Sequence, residues 1–90
     1  MEQVWRRSAI VPGVDPTQWR KDECGAWMSR AQYGDRQSRY GWEVDHVYPD
    51  GGDNLPNLRA LQWENNASKG DGRLTCPVTS RGDENVARGG

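Results

Sequence analysis

A turn-forming segment between two short apolar segments constrains the fold most. Residues 49–57 read PDGGDNLPN, which gathers the Pro, Gly, Asp and Asn residues that favour turns. Before this segment, residues 40–47 alternate between two faces, and one face carries Tyr40, Trp42 and Val44. After it, Leu58–Trp63 is short and apolar enough for a second strand. We therefore predict a hairpin of two antiparallel strands.

A short helix is predicted directly after the second strand. Trp63 and Ala67 are spaced i, i+4, Lys69 lies in the last turn, and Gly70 is a suitable left-handed stop. Two Asn residues make this helix weak in isolation, so contacts with the rest of the chain must hold it. The unit of strand, turn, strand and helix spans residues 42–70 and predicts an α+β fold.

The chain has 90 residues, enough for one small domain with a modest core. Only 33% of the residues are hydrophobic and Phe is absent, so tryptophan must supply much of the buried area. The tryptophans expected in the core are Trp5, Trp19, Trp27, Trp42 and Trp63.

Three regions are predicted along the chain. Residues 1–22 contain Pro and Gly without sustained periodicity, which indicates an irregular arm packed on the body. Residues 23–79 form the domain itself, with one more strand at Leu74–Thr79. Residues 80–90 are rich in Gly and charge, which predicts a disordered, flexible tail.

The two cysteines, Cys24 and Cys76, are far apart and form no CxxC pair. This spacing argues against a disulfide framework and against a cysteine zinc site, so both are predicted to be reduced and partly buried. No apolar run approaches the ~20 residues that span a bilayer, and no signal segment opens the chain. We expect a cytoplasmic protein without a membrane partner.

The net charge of −1 is unusual for a nucleic-acid binder, which generally carries a basic surface. Charge is unevenly distributed, however. Residues 1–39 hold seven Lys/Arg and five Asp/Glu (+2), whereas residues 40–70 hold two and five (−3). A divalent cation in the acidic region would offset two of those three charges.

The hairpin and helix carry a specific set of polar residues. They are Asp45-His46, Pro49, Gly51-Gly52, Asn57-Leu58, Asn66 and Lys69. In this order and spacing the segment WEVDHVYPDGGDNLPNLRALQWENNASKGD resembles the motif of the HNH endonuclease superfamily, which folds as a ββα-metal finger. The resemblance covers about thirty residues, a third of the chain.

The resemblance implies a metal-dependent endonuclease that hydrolyses DNA phosphodiester bonds. Phosphodiester hydrolysis needs a base for the attacking water and a cation near the departing oxygen. His46 would be the general base, and Asn57 would orient its ring through a hydrogen bond. Asp45 and Asn66 would hold one divalent metal ion, magnesium or manganese, because these ions prefer oxygen ligands. Lys69 would contact a phosphate.

Other basic residues are candidates for contacts with the DNA backbone. Arg30, Arg36 and Arg39 precede the motif strand and are predicted to bind phosphates. A domain this small offers little surface for reading bases, so we expect weak sequence preference unless the protein dimerises or works within a larger nuclease or phage assembly.

Three features support an alternative, a catalytically weak or inactive HNH-like module that binds nucleic acid or protein. The first is the acidic charge. The second is the lack of a structural zinc. Many relatives hold the helix with such a zinc on CxxC pairs, but the matching positions here are Gln62 and Asn65, so no structural zinc is expected. Packing of Trp42, Leu58, Leu61 and Trp63 would then anchor the helix. The third feature is the turn from Pro49 to Gly51, which is about three residues shorter than in the family.

A geometric condition applies to Asp45 and His46. Neighbouring side chains in a regular strand point to opposite faces. The two residues can therefore share a site only where the strand ends or twists, and the turn residues just downstream are consistent with such an ending.

Overall fold

The computed structural model describes residues 1–70 and 72–89, and it shows a mixed α+β chain. Within these residues, short strands form three two-stranded antiparallel sheets. The elements are α1 (Glu2–Trp5), β1 (Trp19–Lys21), β2 (Trp27–Ser29), β3 (Trp42–His46), β4 (Leu58–Gln62), α2 (Trp63–Ala67), β5 (Val78–Arg81) and β6 (Glu84–Ala87). Residue 71 of the predicted domain and residue 90 of the predicted tail lie outside the described residues.

The predicted hairpin is confirmed. Strands β3 and β4 pair antiparallel in a register that joins Trp42 to Gln62 at one end and His46 to Leu58 at the other. The predicted helix is α2, which begins at the residue after β4. The order of strand, turn, strand and helix is therefore the order predicted from the sequence of residues 42–70.

The core lies under this hairpin. Its buried members are Val4, Trp5, Met28, Trp42 and Ala60, with Val44 and Leu58 packed against them. Trp5 and Trp42 lie with ring centroids 5.1 Å apart. Trp27 is also buried, so three of the five tryptophans lie in the interior. Trp63 is half-buried, and Trp19 is exposed to solvent.

The region predicted as an irregular arm contains ordered elements. It contributes α1 and strand β1, which pairs with β2. Trp5 is 1% exposed, and its indole Nε1 donates to the carbonyl of Pro16 at 3.0 Å. Arg20 is buried and donates to the carbonyls of Arg6 and Ser8. Main-chain carbonyls therefore satisfy a charge that the sequence would place at the surface.

The predicted disordered tail must be corrected. Residues 78–87 form the β5–β6 hairpin, and Asn85, 2% exposed, connects it to the body. The Asn85 side chain accepts from the amide of Trp27 at 2.7 Å and donates to the carbonyls of Trp27 and Arg39, each at 2.9 Å. This buried amide is one of the contacts that order a segment whose composition alone indicates disorder.

The prediction of two reduced cysteines is wrong. Cys24 and Cys76 form a disulfide with Cα atoms 5.3 Å apart, across 52 residues of sequence. The pairing depends on the approach of the chain before β5 to the turn between β1 and β2, which local spacing cannot reveal. Among the residues that the structure describes, no helix is long and apolar enough to cross a membrane.

Candidate functional site

His46 is the last residue of β3, and its side chain is 41% exposed. Its Nε2 lies 2.6 Å from Oδ1 of Asp53, which follows the Gly51-Gly52 pair in the turn. In the tautomer that is protonated at Nε2, the Nε2–H group donates a hydrogen bond to this carboxylate. The other ring nitrogen, Nδ1, then has a lone pair that can accept a proton. The imidazole thus has a carboxylate partner on Nε2 and, in this tautomer, a proton acceptor in Nδ1.

Asn57 holds the turn rather than the imidazole ring. Its Oδ1 accepts from the amide of Tyr48 at 2.9 Å, and its Nδ2 donates to the carbonyls of Tyr48 and Gly52 at 2.9 and 2.8 Å. Gly51 lies so close that a Cβ there would meet the Asn57 amide at 2.8 Å. Asn57 therefore fixes the turn that carries Asp53. Among the described residues, the hydrogen-bond partner of the His46 ring is Asp53 and not Asn57.

Asp45 is buried beneath two cationic side chains. Lys69 Nζ lies 2.7 Å from its Oδ1 and 3.0 Å from its Oδ2, and it also donates to the main-chain carbonyl of His46 at 2.6 Å. Arg59 Nε donates to Oδ2 at 2.8 Å from the directly paired position on β4. Both oxygens of Asp45 therefore accept charge-assisted hydrogen bonds.

Asn66, the other predicted metal ligand, contacts Glu43. Its Nδ2 donates to Glu43 Oε1 at 2.9 Å, and Arg36 clamps the same carboxylate at 2.7 and 2.9 Å. These hydrogen bonds, the Arg36 guanidinium first and the Asn66 amide second, lower the pKa of the Glu43 carboxyl below its ordinary value. With Nδ2 used in this way, the Asn66 Oδ1 can face another partner.

The alternation of β3 places the side chains of the neighbouring predicted site residues Asp45 and His46 on different faces. Glu43 and Asp45 point to one face, where they meet side chains from α2 and the segment that follows it. His46, the next residue of the strand, contacts the turn instead. The structure brings Asp45, Lys69 and the His46 main chain together, and it gives Asn66 and the His46 ring separate partners.

The predicted phosphate-binding residues all contact oxygen acceptors within the chain. Arg30 pairs with Glu2, Arg36 with Glu43, and Arg39 donates to the Asn85 carbonyl. Lys69 has a side chain only 8% exposed. Arg30, Arg36 and Arg39 keep exposed guanidinium groups that can add a phosphate partner, whereas Lys69 must first leave Asp45.

A buried polar network holds α2, and sequence reasoning did not find it. Gln62 caps the helix by accepting from the amides of Glu64 and Asn65. Asp22 Oδ2 accepts from the Gln62 amide and from Asn65 Nδ2, both at 3.0 Å, while its Oδ1 accepts from the amides of Cys24 and Ala26. Gln62 and Asn65 are each 0% exposed. The helix is therefore anchored by hydrogen bonds as well as by packing, and no local pattern marks Asp22 as their acceptor.

The predicted metal ligands and the His46 main-chain carbonyl suit a hard divalent cation in type. The Asp45 carboxylate, the Asn66 amide oxygen and the His46 carbonyl are all oxygen ligands of the kind that magnesium and manganese prefer. Among the described residues, no group of three or more His, Cys, Asp and Glu is placed to hold a metal ion. The described contacts do not bring these oxygens to one point, because Lys69 and Arg59 hold the Asp45 carboxylate and Asn66 bonds to Glu43.

Comparisons with protein-family models, with curated proteins and with solved structures find no match to this chain.

Proposed function

We propose that this protein is a metal-dependent endonuclease of the HNH type, built on a ββα-metal finger, that hydrolyses DNA phosphodiester bonds. The observation that carries the proposal is the contact between His46 Nε2 and Asp53 Oδ1 at 2.6 Å, at the end of the strand that also holds Asp45. A half-exposed imidazole with a carboxylate on one nitrogen has the arrangement of an oriented general base.

The proposed role of each residue is supported by its contacts. His46 Nδ1 takes a proton from water as the water oxygen attacks phosphorus, and Asp53 stabilises the resulting imidazolium. The bond from phosphorus to the 3′ oxygen breaks, which leaves a 5′-phosphate and a 3′-hydroxyl that takes its proton from water. Asn57 is a positioning residue that keeps the turn, and with it Asp53, beside the ring.

As the resemblance implies, Asp45 and Asn66 would hold the divalent cation, and Lys69 would have to leave Asp45 for the cation to bind there. When bound, the cation neutralises negative charge on the phosphate and at the departing oxygen. The Glu43 carboxylate keeps the Nδ2 side of the Asn66 amide occupied, so the oxygen is the end that remains for a ligand. Arg36 in turn neutralises Glu43, which limits repulsion of the DNA backbone.

Plasmid nicking tests the proposal. The unaltered protein should convert supercoiled plasmid to the nicked form with magnesium or manganese and should stop when the metal is chelated. His46→Ala should lose at least about 100-fold in rate, the range typical of a general base. The control is Asp50→Ala, which removes an exposed carboxylate from the same turn. Equal nicking by the unaltered protein and the His46 variant would assign the activity to a contaminant.

One observation favours a second candidate function. The Asp45 side chain is 8% exposed and both of its oxygens already pair with Lys69 and Arg59. A chain in which these pairs are permanent would keep the finger fold without cleavage, as a catalytically inactive module that binds nucleic acid or protein. Metal-independent DNA binding, measured by fluorescence anisotropy, together with no nicking under any metal, would support this candidate over the enzyme.

A further inference from the structure

We propose that an aromatic groove beside the β1–β2 sheet binds an unpaired nucleobase of single-stranded DNA. The groove is lined by Val14, Trp19, Trp27 and Asp83, and we call it the Trp19 groove. This inference rests on the proposed function, because it names the form of DNA that the protein binds. The groove shares no residue with the candidate site around His46.

The register of the β1–β2 pair places the two tryptophans on one face of the sheet. Lys21 is directly paired with Trp27, and Trp19 lies two residues before Lys21 on β1. Since side chains alternate along a strand, Trp19, Lys21 and Trp27 share a face. Arg20, which lies between the two β1 residues, is buried on the opposite face. Two indole rings therefore meet on the side of the sheet that points away from Arg20.

Neighbouring aromatic rings hold Trp19 in place while part of it stays open to solvent. The Trp19 and Trp27 ring centroids lie 6.4 Å apart at an interplanar angle of 86°. Tyr40 packs on Trp19 in the same edge-to-face manner, with centroids 5.4 Å apart. Trp19 is nevertheless 37% exposed, whereas Trp27 is 8% exposed. An exposed ring in a fixed orientation is a stacking platform, and a base of any type can stack on it.

The tip of the β5–β6 hairpin adds a carboxylate to the groove. The last pair of this hairpin joins Arg81 to Glu84, so Gly82 and Asp83 form a two-residue turn. Gly82 has a φ of 61°, as such hairpin turns favour. The Trp27 indole Nε1 donates to the Gly82 carbonyl at 2.8 Å. This hydrogen bond fixes the tip beside the ring and so brings the exposed Asp83 to the groove.

The lining of the groove suits a flat, uncharged ligand that carries a hydrogen-bond donor. Its volume of about 300 Å³ is at the lower end of the range for small-molecule pockets. The indole rings and Val14 offer apolar contact, and the Asp83 carboxylate can only accept hydrogen bonds. The Lys21 ammonium lies over the Trp27 ring, 4.8 Å from its centroid, and offsets the charge of Asp83 on this face. Adenine, cytosine and guanine are planar and uncharged, and each carries an exocyclic amino group.

Only an unpaired base can use the Trp19 groove. Inside a duplex, neighbouring bases cover both faces of each base, and an enzyme reaches a base there only by extruding it at a cost in stacking and pairing. A single strand presents its bases without this cost. We therefore expect the protein to bind single-stranded DNA more tightly than duplex DNA of the same length.

Binding of a single strand in the presence of EDTA is the first test, because chelation prevents metal-dependent cleavage. The affinity for labelled oligo(dC), measured by fluorescence anisotropy, should fall at least about fivefold in Trp19→Ala, the lower end of the effect of one stacked base. Trp19→Phe keeps a ring and should keep most of the affinity. The control is Tyr33→Ala, which removes an exposed ring that also packs on a tryptophan, Trp42 at 4.8 Å, outside the groove. Equal affinity in Trp19→Ala and the unaltered protein, both folded by circular dichroism, would overturn the inference.

The choice of ligand is the second test, and its main arm needs only the unaltered protein. A chain of abasic deoxyribose phosphates, equal to oligo(dC) in length and charge, should bind at least about fivefold more weakly because it has no bases to stack. Equal affinity for the two chains would show that phosphates alone are bound and would contradict the inference. Binding of choline without binding of oligo(dC), followed by tryptophan fluorescence, would also contradict it, since the groove would then hold an organic cation.

The role of Asp83 has its own measurement. Thymine presents its O4 acceptor where cytosine presents an amino group. Oligo(dT) should therefore bind about threefold more weakly than oligo(dC), as expected for one exposed hydrogen bond. Asp83→Ala should remove this difference. A preference of the same size in Asp83→Ala would exclude the carboxylate from base binding.

This proposal and the proposed nuclease activity fail in different ways. If the unaltered protein nicks plasmid but binds oligo(dC) and the abasic chain equally, only the inference about the Trp19 groove is lost. If oligo(dC) binding depends on Trp19 and no cleavage occurs with any metal, the nuclease activity is lost and the base-binding groove remains.

Discussion

The carboxylate of Asp22 accepts a hydrogen bond from the side-chain amide of Asn65 at 3.0 Å, across 43 residues of sequence. Asn65 in turn exchanges hydrogen bonds with both main-chain groups of Val78, at 3.0 Å and 2.9 Å. The turn after β1, helix α2 and strand β5 therefore meet at two buried side chains. This junction lies at the helix whose following segment supplies Lys69.

Asp22→Asn should destabilise the fold strongly. All four groups that bond to the Asp22 carboxylate are donors, so an amide would turn its own NH₂ toward two of them. Buried donors left without an acceptor cost about 1–3 kcal/mol each, and we expect a loss of about 2–4 kcal/mol in the free energy of unfolding. Urea unfolding measures the change. Asp83→Asn, at an exposed position, should have an unfolding midpoint close to that of the unaltered protein.

Asp53→Asn should reduce the rate of cleavage without unfolding the chain. The Asp53 side chain is 91% exposed, so it contributes little to stability, but it bonds to His46 Nε2. Groups that orient a functional histidine typically affect activity by ~10–100-fold, and the exposure places Asp53 near the lower end, at about tenfold. Nicking rates of Asp53→Asn and Asp50→Asn, compared at equal protein concentration, measure the effect. A rate for Asp53→Asn equal to that of the control would remove Asp53 from the mechanism.

Glu43→Gln should flatten the dependence of stability on pH in the acid range. The hydrogen bonds from Arg36 and Asn66 lower the pKa of Glu43 in the folded chain below its ordinary value of 4.5. A carboxyl of this kind stabilises the fold above that value, and the stabilisation is lost as the pH falls through its folded-state pKa. Unfolding free energies measured from about pH 7 to about pH 3 should fall less steeply in the variant. The control is Glu84→Gln, at a glutamate whose side chain is 66% exposed.

Replacing both cysteines by serine should lower stability without removing the fold. A disulfide typically contributes about 2–4 kcal/mol by restricting the unfolded chain, and Cys24–Cys76 closes a loop of 52 residues in sequence separation. The buried contacts of Asn65 and Asn85 still hold the C-terminal hairpin in the variant. Urea unfolding of the unaltered protein, with and without reductant, measures the contribution. Reductant should not affect the double variant, and an identical midpoint in all samples would contradict the disulfide.

The pattern of neighbouring residues in the sequence predicts the β3–β4 hairpin. It predicts few of the contacts between this hairpin and the rest of the chain. Alternation along β3, the turn residues and the spacing of Trp63 and Ala67 depend on near neighbours, so they can be read from the chain. Asp22, Asn65 and Asn85 act on partners up to 58 residues away, and each is an ordinary polar residue in its local context. The folded chain selects these contacts, because burial makes an unpaired polar group costly.

The same distinction applies to the candidate site. The motif predicts which residues gather near the turn, but not how they pair. Asp53 could have been suspected, because it lies across the turn from His46, whereas Arg59 becomes a partner of Asp45 only through the β3–β4 register. Arg36, which lies outside the acidic region of residues 40–70, also compensates part of its charge of −3 by pairing with Glu43. Net charge by segment could not show this compensation.

The Cys24–Cys76 bond encloses the whole of β3, the turn, β4 and α2 in one covalent ring. A protease that cuts the exposed turn at Asp50 would therefore leave two fragments still joined, and they would migrate apart on a denaturing gel only after reduction. Such a nicked chain keeps Asp45 and Lys69 on opposite pieces, so it offers a way to ask whether β3 stays assembled with β4 and α2 once their peptide connection is lost.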